Sequence, residues 1–218
     1  MAKLPSGAEP SRDSDTERRI LEAAHAVFMR RGTAGARMQE IAAEAGVNQA
    51  LLHYYFRSKA RLAEAVFRSV AVRIFPPLIE VLAADLDIDE KVRRVVELEL
   101  DFLSRSPFVP AYVISEINQH PERVLQFVRA ASGVDVGGMA PRVLEILRAQ
   151  LESGARTGAL RPIGAEEFVV NLLSLCIFPF AARPMMTAAL HMDDRAFHAF
   201  IERRRRELPE FIMSALRP

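Results

Sequence analysis

Residues 45–59, AGVNQALLHYYFRSK, contain side chains suited to contacts with the base edges of DNA. The amide of Gln49 can pair with the edge of an adenine through two hydrogen bonds, and Ala50 and Leu51 can pack on a thymine methyl group. Such contacts require a helix that lies with one face in the major groove. The segment is therefore a candidate base-reading element.

Other residues of the same stretch suit contacts with phosphate groups. The hydroxyls of Tyr54 and Tyr55 and the ammonium of Lys59 can position a helix on the sugar-phosphate backbone without reading the sequence. Lys59 directly follows Ser58, which we expect to cap a helix, and the free amides of a helix N-terminus attract phosphate. Phe56 has no polar group and is predicted to lie in the core.

The elements that position these residues follow from their periodicity. Ser14 and Glu17 form a capping box at the start of a helix that Gly32 ends, and a loop, GTAGA, follows. A short helix at 38–45 ends at Gly46, a glycine expected in the left-handed conformation. Asn48 is an N-cap for the next short helix, at 49–55. Helix, glycine turn and helix within about twenty residues are typical of a helix-turn-helix.

Two apolar residues, Val47 and Leu52, are expected to anchor the second of these short helices against the first. The outward positions are Gln49, Ala50, His53 and Tyr54.

The composition favours an all-α protein with its positive charge near the N-terminus. Residues 16–62 contain eight basic and four acidic residues, although the whole chain of 218 residues has a net charge of only +1. The single cysteine, Cys176, excludes a disulfide framework and is expected to be a core residue. The N-terminal residues lack the apolar segment of a signal peptide, and no apolar run is long enough to span a membrane. We expect a cytoplasmic protein.

Residues 16–62 closely resemble the DNA-binding domain of the TetR/AcrR family of transcriptional regulators. The resemblance rests on TERRILEAAHAVFMRRG, MQEIAAEAGV, NQALLHYYF and RSKARL, in this order and spacing. It implies a three-helix DNA-binding domain at 14–60 and a helical domain for ligand binding and dimerisation at 61–218, whereas the two prolines, the glycine and the mixed charge of residues 1–13 predict a disordered tail. It also implies that Gln49, Ala50, Leu51, Tyr54 and Tyr55 lie on or near the major-groove face.

Several positions of this chain depart from the family pattern. Met38 replaces a threonine that caps the second helix and contacts phosphate, a role that Arg37 or Gln39 could take over. Leu51 stands where threonine or serine is common. His53 replaces a phosphate-contacting tyrosine, whereas Lys59 matches the phosphate-binding lysine. Asn48 completes the candidate DNA-binding set.

For the remaining chain, the resemblance implies a homodimer formed by the last two long helices, here 165–181 and 193–215, that binds a palindromic operator on double-stranded DNA. It further implies a small-molecule effector in the central helices, and an apolar lining favours a lipophilic one. The candidate interface residues are Phe168, Leu172, Leu175, Phe197, Phe200, Ile201, Leu208 and Phe211. The candidate ligand-site residues are Phe102, Tyr112, Glu116, Phe127, Met139, Asn171 and Phe178, for which ordinary core packing is the alternative.

The leading hypothesis is a repressor released from its operator by this effector. An activator with the same DNA-binding domain is one alternative, and a DNA-binding protein without sequence preference is another, although the low net charge argues against it. The sequence has no nucleophile elbow, phosphate loop or metal-ligand spacing, so we expect no enzymatic activity, metal or cofactor.

Overall fold

The structure of the protein is a computed structural model that describes residues 12–119, 129 and 136–218. The chain divides into two compact units, Met1–Phe67 and Arg68–Pro218. The boundary lies within a helix, after Phe67, whereas the sequence placed it after residue 60. All regular elements of the described ranges are helices, as the sequence predicted.

The described part of the first unit begins at Arg12. Residues 12 and 13 belong to a helix and not to the predicted tail. The rest of the predicted tail lies outside the described residues. The helices are α1 (Arg12–Gly35), α2 (Met38–Ala45), α3 (Gln49–Phe56) and α4 (Lys59–Ala71), the last of which continues into the second unit. The predicted bounds of α2 are confirmed.

Gly32 interrupts α1 without ending it. Its backbone has φ 66° and ψ 167°, values that a glycine adopts readily and other residues rarely do. The chain then continues in helical geometry to Gly35, where the sequence predicted a loop. The last part of α1 is therefore redirected at Gly32.

The core of the first unit is formed by one face of each helix. The inward face of α1 is buried, and Leu52 and Phe56 of α3 are 0% and 7% exposed. The other fully buried large side chains are Phe28, Ile20, Ile41, Leu62 and Phe67. This apolar core fixes which face of α3 is left for contacts outside the unit.

The second unit contains α5 (Phe75–Ala83), α6 (Ile88–Arg105), α7 (Val109–Gln119), α8 (Val136–Arg156), α9 (Ala165–Ala181), α10 (Arg183–Ala189) and α11 (Asp194–Leu216). The bounds of α9 are as predicted, and α11 is shifted by one residue. The short helix α10 was not predicted; it begins beside Pro184, which is favoured in a first helical turn. The sequence pattern also predicts a helix at 121–131, a segment that lies outside the described residues apart from 129.

The core of the second unit gathers the apolar faces of α5, α6, α8, α9 and α11. It also contains the ammonium of Lys91, which is completely buried and donates hydrogen bonds to the carbonyl oxygen of Leu82 and to Oε1 of Gln150, both at 2.7 Å. Burial lowers the pKa of Lys91. Gln150 in turn donates to the carbonyl oxygen of Leu86, so α6 and α8 together hold the turn after α5.

Within the described ranges, no single helix is long and apolar enough to cross a membrane. Only α9 and α10 taken together reach such a length and composition, and they are bent by 67° at their junction.

Candidate nucleic-acid interface

The turn between α2 and α3 is fixed by two backbone devices. Gly46 has φ 64° and ψ 34°, and its amide donates to carbonyl oxygens at the end of α2. Asn48 Oδ1 accepts a hydrogen bond of 2.7 Å from the amide of Leu51. The predicted left-handed glycine and the predicted N-cap are both confirmed. The consequence for Asn48 is that its side-chain oxygen is engaged in the cap.

The outer face of α3 is open to solvent. Gln49, Ala50, His53 and Tyr54 are all exposed, as predicted, and 77% of the surface of Tyr54 is accessible. Leu51 is half-buried, so only part of its side chain is available for a thymine methyl. The face thus combines an amide, two apolar groups and a free phenol, the groups that read base edges and contact phosphate.

Tyr55 is held differently from its neighbour. Its hydroxyl donates a hydrogen bond of 2.8 Å to Oδ1 of Asp13 in the first turn of α1, and this bond raises the pKa of Tyr55. The two tyrosine rings meet edge to face, with centroids 5.5 Å apart. The sequence predicted that both hydroxyls point toward DNA. In the structure only that of Tyr54 lacks a hydrogen-bond partner among the described residues, because Tyr55 is engaged with α1.

Lys59 also has protein partners. Its Nζ donates to the carbonyl oxygens of Ala34 and Ala36, at 2.9 and 3.1 Å, and so caps the end of α1. Ser58 caps α4 through a bond of 3.2 Å from the amide of Arg61, as predicted. Two of the three ammonium protons of Lys59 are therefore used within the unit, which leaves one proton and the charge for a phosphate.

His53 Nδ1 lies 3.2 Å from the carbonyl oxygen of Arg57. Since a carbonyl oxygen only accepts, this contact places a proton on Nδ1. In the neutral ring, Nε2 is then an acceptor that cannot donate to a phosphate.

Several arginines of the N-terminal unit have partners within the unit. Arg30 pairs with Glu44 at 2.8 Å and Arg31 with Glu40 at 3.0 Å, which joins α1 to α2. Arg19 donates a bond of 2.6 Å to the carbonyl oxygen of Ala45. Arg18 is paired with Asp15 and Glu22.

Arg37, just before α2, and Arg57, just after α3, are exposed, and their side chains have neither an ion pair nor a hydrogen bond with another described residue. Arg37 is the N-cap residue of α2, and its backbone is extended. Its side chain makes no cap hydrogen bond, so the first amides of α2 are left for an outside acceptor. Gln39 is exposed in the same first turn. Positive charge and free amides thus flank the open face of α3, which suits phosphate. Arg57 was not among the predicted site residues, although its place after the aromatic run could have indicated it.

Comparison with known proteins agrees with this geometry. Residues 20–66 match the model of the bacterial regulatory proteins of the tetR family, and residues 89–212 match a tetracyclin repressor-like C-terminal domain. The chain belongs to the TetR family. It is thus a transcriptional regulator of the helix-turn-helix type, in a family of DNA-binding proteins and not of enzymes.

Two full-length relatives support the assignment to the TetR family. The HTH-type transcriptional repressor NicS of Pseudomonas putida is 30% identical over 200 residues, which cover 88% of this chain and 89% of NicS. The Bacillus subtilis protein named "Probable HTH-type transcriptional regulator YttP" is 24% identical, and the alignment covers 82% of this chain and 83% of YttP.

Solved structures show the same TetR fold. HlyIIR, a hemolysin II transcriptional regulator, has a TM-score of 0.57 with 23% identity over 94% of this chain and 98% of its own. A regulator from Saccharomonospora viridis, solved in complex with choline, has a TM-score of 0.64 with 24% identity over 93% of this chain and 98% of its own.

The residues predicted to line a ligand site are dispersed in the structure of this TetR regulator. Tyr112 is buried and Phe102 is half-buried against the core. Met139, Asn171 and Phe178 are exposed on the protomer, so they do not line an interior site there. Phe127 and the side chain of Glu116 lie outside what the structure describes.

The residues predicted to form the dimer interface fall into two groups, one buried within the protomer and one accessible at its surface. Phe168, Leu172, Phe197, Ile201 and Leu208 are at most 4% exposed because they pack in the protomer's own core. Only Leu175, Phe200 and Phe211 retain accessible surface. The sequence pattern did not separate the inner apolar faces of α9 and α11 from the outer ones.

The outer surface of these two helices nevertheless carries large apolar groups. Val170, Phe178 and Phe211 are 61%, 56% and 61% exposed. Beside Phe211 lies a depression of about 260 Å³ lined by Leu175, Phe200, Arg203, Arg204, Glu207, Leu208 and Phe211. We call the surface formed by Val170, Leu175, Phe178, Phe200 and Phe211 the α9–α11 face.

Proposed function

We propose that this TetR-family regulator is a homodimeric repressor that reads a palindromic operator with α3 and leaves it when a small molecule binds. The observation that carries the proposal is the open face of α3, with Gln49, Ala50 and Tyr54 exposed between Arg37 and Arg57. Base-reading and phosphate-binding groups are thus held on one rigid helix-turn-helix.

The α9–α11 face supports the dimer. Exposed large apolar groups on a protomer are removed from water when a second copy covers them. A two-fold dimer contains two copies of α3, and the half-sites of the operators that such dimers read lie about 34–36 Å apart, one turn of DNA.

Repression and release by an effector rest on relatives. NicS is named a repressor, and the regulator from Saccharomonospora viridis was solved with choline. In the proposed mechanism, the effector binds more tightly to a dimer whose reading helices no longer match the operator spacing, and so shifts the population toward it.

Selection from random duplex DNA tests the DNA-reading function. The winning duplex is then titrated against its scrambled version by fluorescence anisotropy at one salt concentration. We expect a palindrome that binds at least ~10³-fold more tightly than the scramble. Enrichment without a palindrome would contradict the dimer, and the absence of enrichment would contradict sequence-specific reading.

A promoter fusion separates repression from activation. The selected palindrome is placed between a promoter and a reporter gene, and expression is compared with and without the protein. Lower expression with the protein is expected; higher expression would identify an activator.

A further inference from the structure

Helix α6 buries two ionisable side chains on one face. Lys91 and Glu99 are 0% and 4% exposed, and their separation of eight positions corresponds to about 12 Å along a helix. The ammonium of Lys91 has two protein acceptors, Leu82 and Gln150. No residue of the described chain donates a hydrogen bond to Glu99 or pairs with it. The described part of the chain thus provides partners for the buried ammonium of Lys91 and none for the carboxyl group of Glu99.

The charged and titratable groups around Glu99 confirm its isolation. From α9, the group that interacts with the charge of Glu99 is the buried thiol of Cys176, whose pKa rises to about 12 through burial and then through that charge. From α11, Arg204 approaches the same thiol, but its Nε and Nη2 donate to the carbonyl oxygen of Leu175 at 3.1 and 2.8 Å. From α5, the residues buried toward α6 are the apolar Leu78 and Leu82.

Such a carboxyl group is costly in the ionised form. Burial alone raises the pKa of Glu99 to about 7, since removal from water penalises the charge and no partner compensates. Buried polar groups in folded proteins are normally satisfied, so a buried carboxyl without a partner among the described residues is a candidate for a partner from outside the chain. A cation is the partner that stabilises the ionised form.

The residues around Glu99 favour an organic cation. Phe102 lies one turn further along α6 and packs half-buried against the core. Phe168, Leu172 and Cys176 form one buried face of α9 at spacings of four residues. Aromatic and aliphatic side chains beside a carboxylate are the composition of sites that bind ammonium groups carrying alkyl or aryl substituents.

We propose that Glu99 recognises the positive charge of the effector, and that the effector is an organic ammonium compound. The proposal rests on the proposed function in one respect, namely that this regulator responds to a small molecule. It narrows the predicted lipophilic effector to one that also carries a positive charge.

Isothermal titration of the full-length protein tests the proposal with two pairs of probes. Choline is compared with its neutral carbon isostere 3,3-dimethylbutan-1-ol, and benzylamine with benzyl alcohol. We expect the protein to bind at least one ammonium about 30-fold or more tightly than its neutral counterpart, as is typical of a buried charge pair. In Glu99→Gln, which keeps the shape and removes the charge, this preference should disappear.

Glu97→Gln is the matched control because it removes the same charge from the exposed side of α6. It should keep the wild-type preference. Retention of the preference in Glu99→Gln overturns the proposal, and so does a wild-type protein that prefers neither ammonium. Circular dichroism of each variant verifies that the helices are intact.

Proton release provides a second readout. At a pH of about 6, Glu99 is protonated in the free protein and ionised beside a cation, so binding should release about one proton in the wild type and none in Glu99→Gln. Titrations in two buffers of different ionisation enthalpy measure this number. Equal proton release by both proteins would contradict the assignment of the charge to Glu99.

The two proposals can fail separately. If ammonium binding depends on Glu99 but does not change affinity for the selected operator, the effector site stands and the release mechanism falls. If the operator is bound specifically but no ammonium is preferred, the DNA-reading function stands and the role of Glu99 falls.

Discussion

The Nζ atom of Lys59 lies 2.9 Å from the carbonyl oxygen of Ala34, so the first residue of α4 caps the last turn of α1. The sequence resemblance gives this lysine a role on phosphate. The structure adds a second role, because the same ammonium holds the end of α1 beside the start of α2. The two roles have separate measurable effects.

Replacing Lys59 with alanine should therefore affect both DNA binding and stability. We expect the slope of log affinity against log salt to fall by about one, uniformly across operator variants. We also expect the free energy of unfolding to fall by about 1–2 kcal/mol, since the carbonyls of Ala34 and Ala36 lose a charged donor. Anisotropy titrations at several salt concentrations and urea denaturation measure the two effects. A lower stability with an unchanged salt slope would assign Lys59 to the fold alone.

Gln49 and Gln39 provide a matched pair of amides on adjacent helices. Gln49→Ala should relax the preference at one base pair of each half-site by about 1–3 kcal/mol, because a bidentate contact to a base edge is lost. Gln39→Ala, in the first turn of α2, should weaken binding to all operators alike. Affinities for a set of single-base operator variants distinguish the two. Unchanged selectivity in Gln49→Ala would remove it from the base-reading set.

The two neighbouring tyrosines should respond differently to the loss of their hydroxyls. Tyr54→Phe is expected to weaken operator binding about 3–10-fold, the usual effect of one lost hydrogen bond, without a change in melting temperature. Tyr55→Phe should lower the melting temperature because the bond to Asp13 is lost. Asp13→Asn should reproduce part of that loss. A Tyr55→Phe variant that weakens DNA binding at unchanged stability would place its hydroxyl on phosphate instead.

The proposed dimer can be tested at Phe211. Phe211→Glu puts a charge on the α9–α11 face and should convert the dimer to a monomer, as observed by light scattering after size exclusion. Ile114→Glu, which changes an exposed apolar residue of α7, is the control and should remain dimeric. If Phe211→Glu also remains a dimer, the interface lies elsewhere.

The ionisation of Glu99 should make the stability of the ligand-free protein depend on pH. Its pKa is raised from 4.5 to about 7 in the folded state, so the folded state binds the proton more tightly than the unfolded state. This contribution is fully present below a pH of about 4.5 and is lost as the pH rises toward 7, to a total of about 3 kcal/mol. Glu99→Gln should therefore be more stable than the wild type at pH 8. Denaturation followed by circular dichroism at several pH values measures the difference.

Much of the N-terminal unit could be predicted from the sequence because its signals are local. Gly46, Asn48 and Ser58 each act within a few residues, and each has the predicted conformation or bond. The outward positions of α3 follow from helical periodicity alone. What local patterns could not supply are bonds between distant residues: Tyr55 with Asp13 and Lys59 with the end of α1.

In the C-terminal unit the periodicity of α9 and α11 was correct, but both helices are apolar on more than one side. Periodicity alone therefore did not show that Phe168 and Phe197 face inward while Val170 and Phe178 face outward.

Glu99 was missed for a different reason. It occupies a core position in the pattern of α6, with Val95 and Leu103 four residues away on either side. A charged residue at such a position was a signal that the sequence contained.

Two helix ends of the N-terminal unit are capped by side chains from distant parts of the chain. Arg19 of α1 bonds the last carbonyl of α2, and Lys59 of α4 bonds the carbonyls that end α1. Neither end can fray without breaking a contact between helices. The unit should consequently lose its structure in one cooperative step, and the slowly exchanging amides of α1, α2 and α3 should share a single opening free energy in native-state hydrogen exchange.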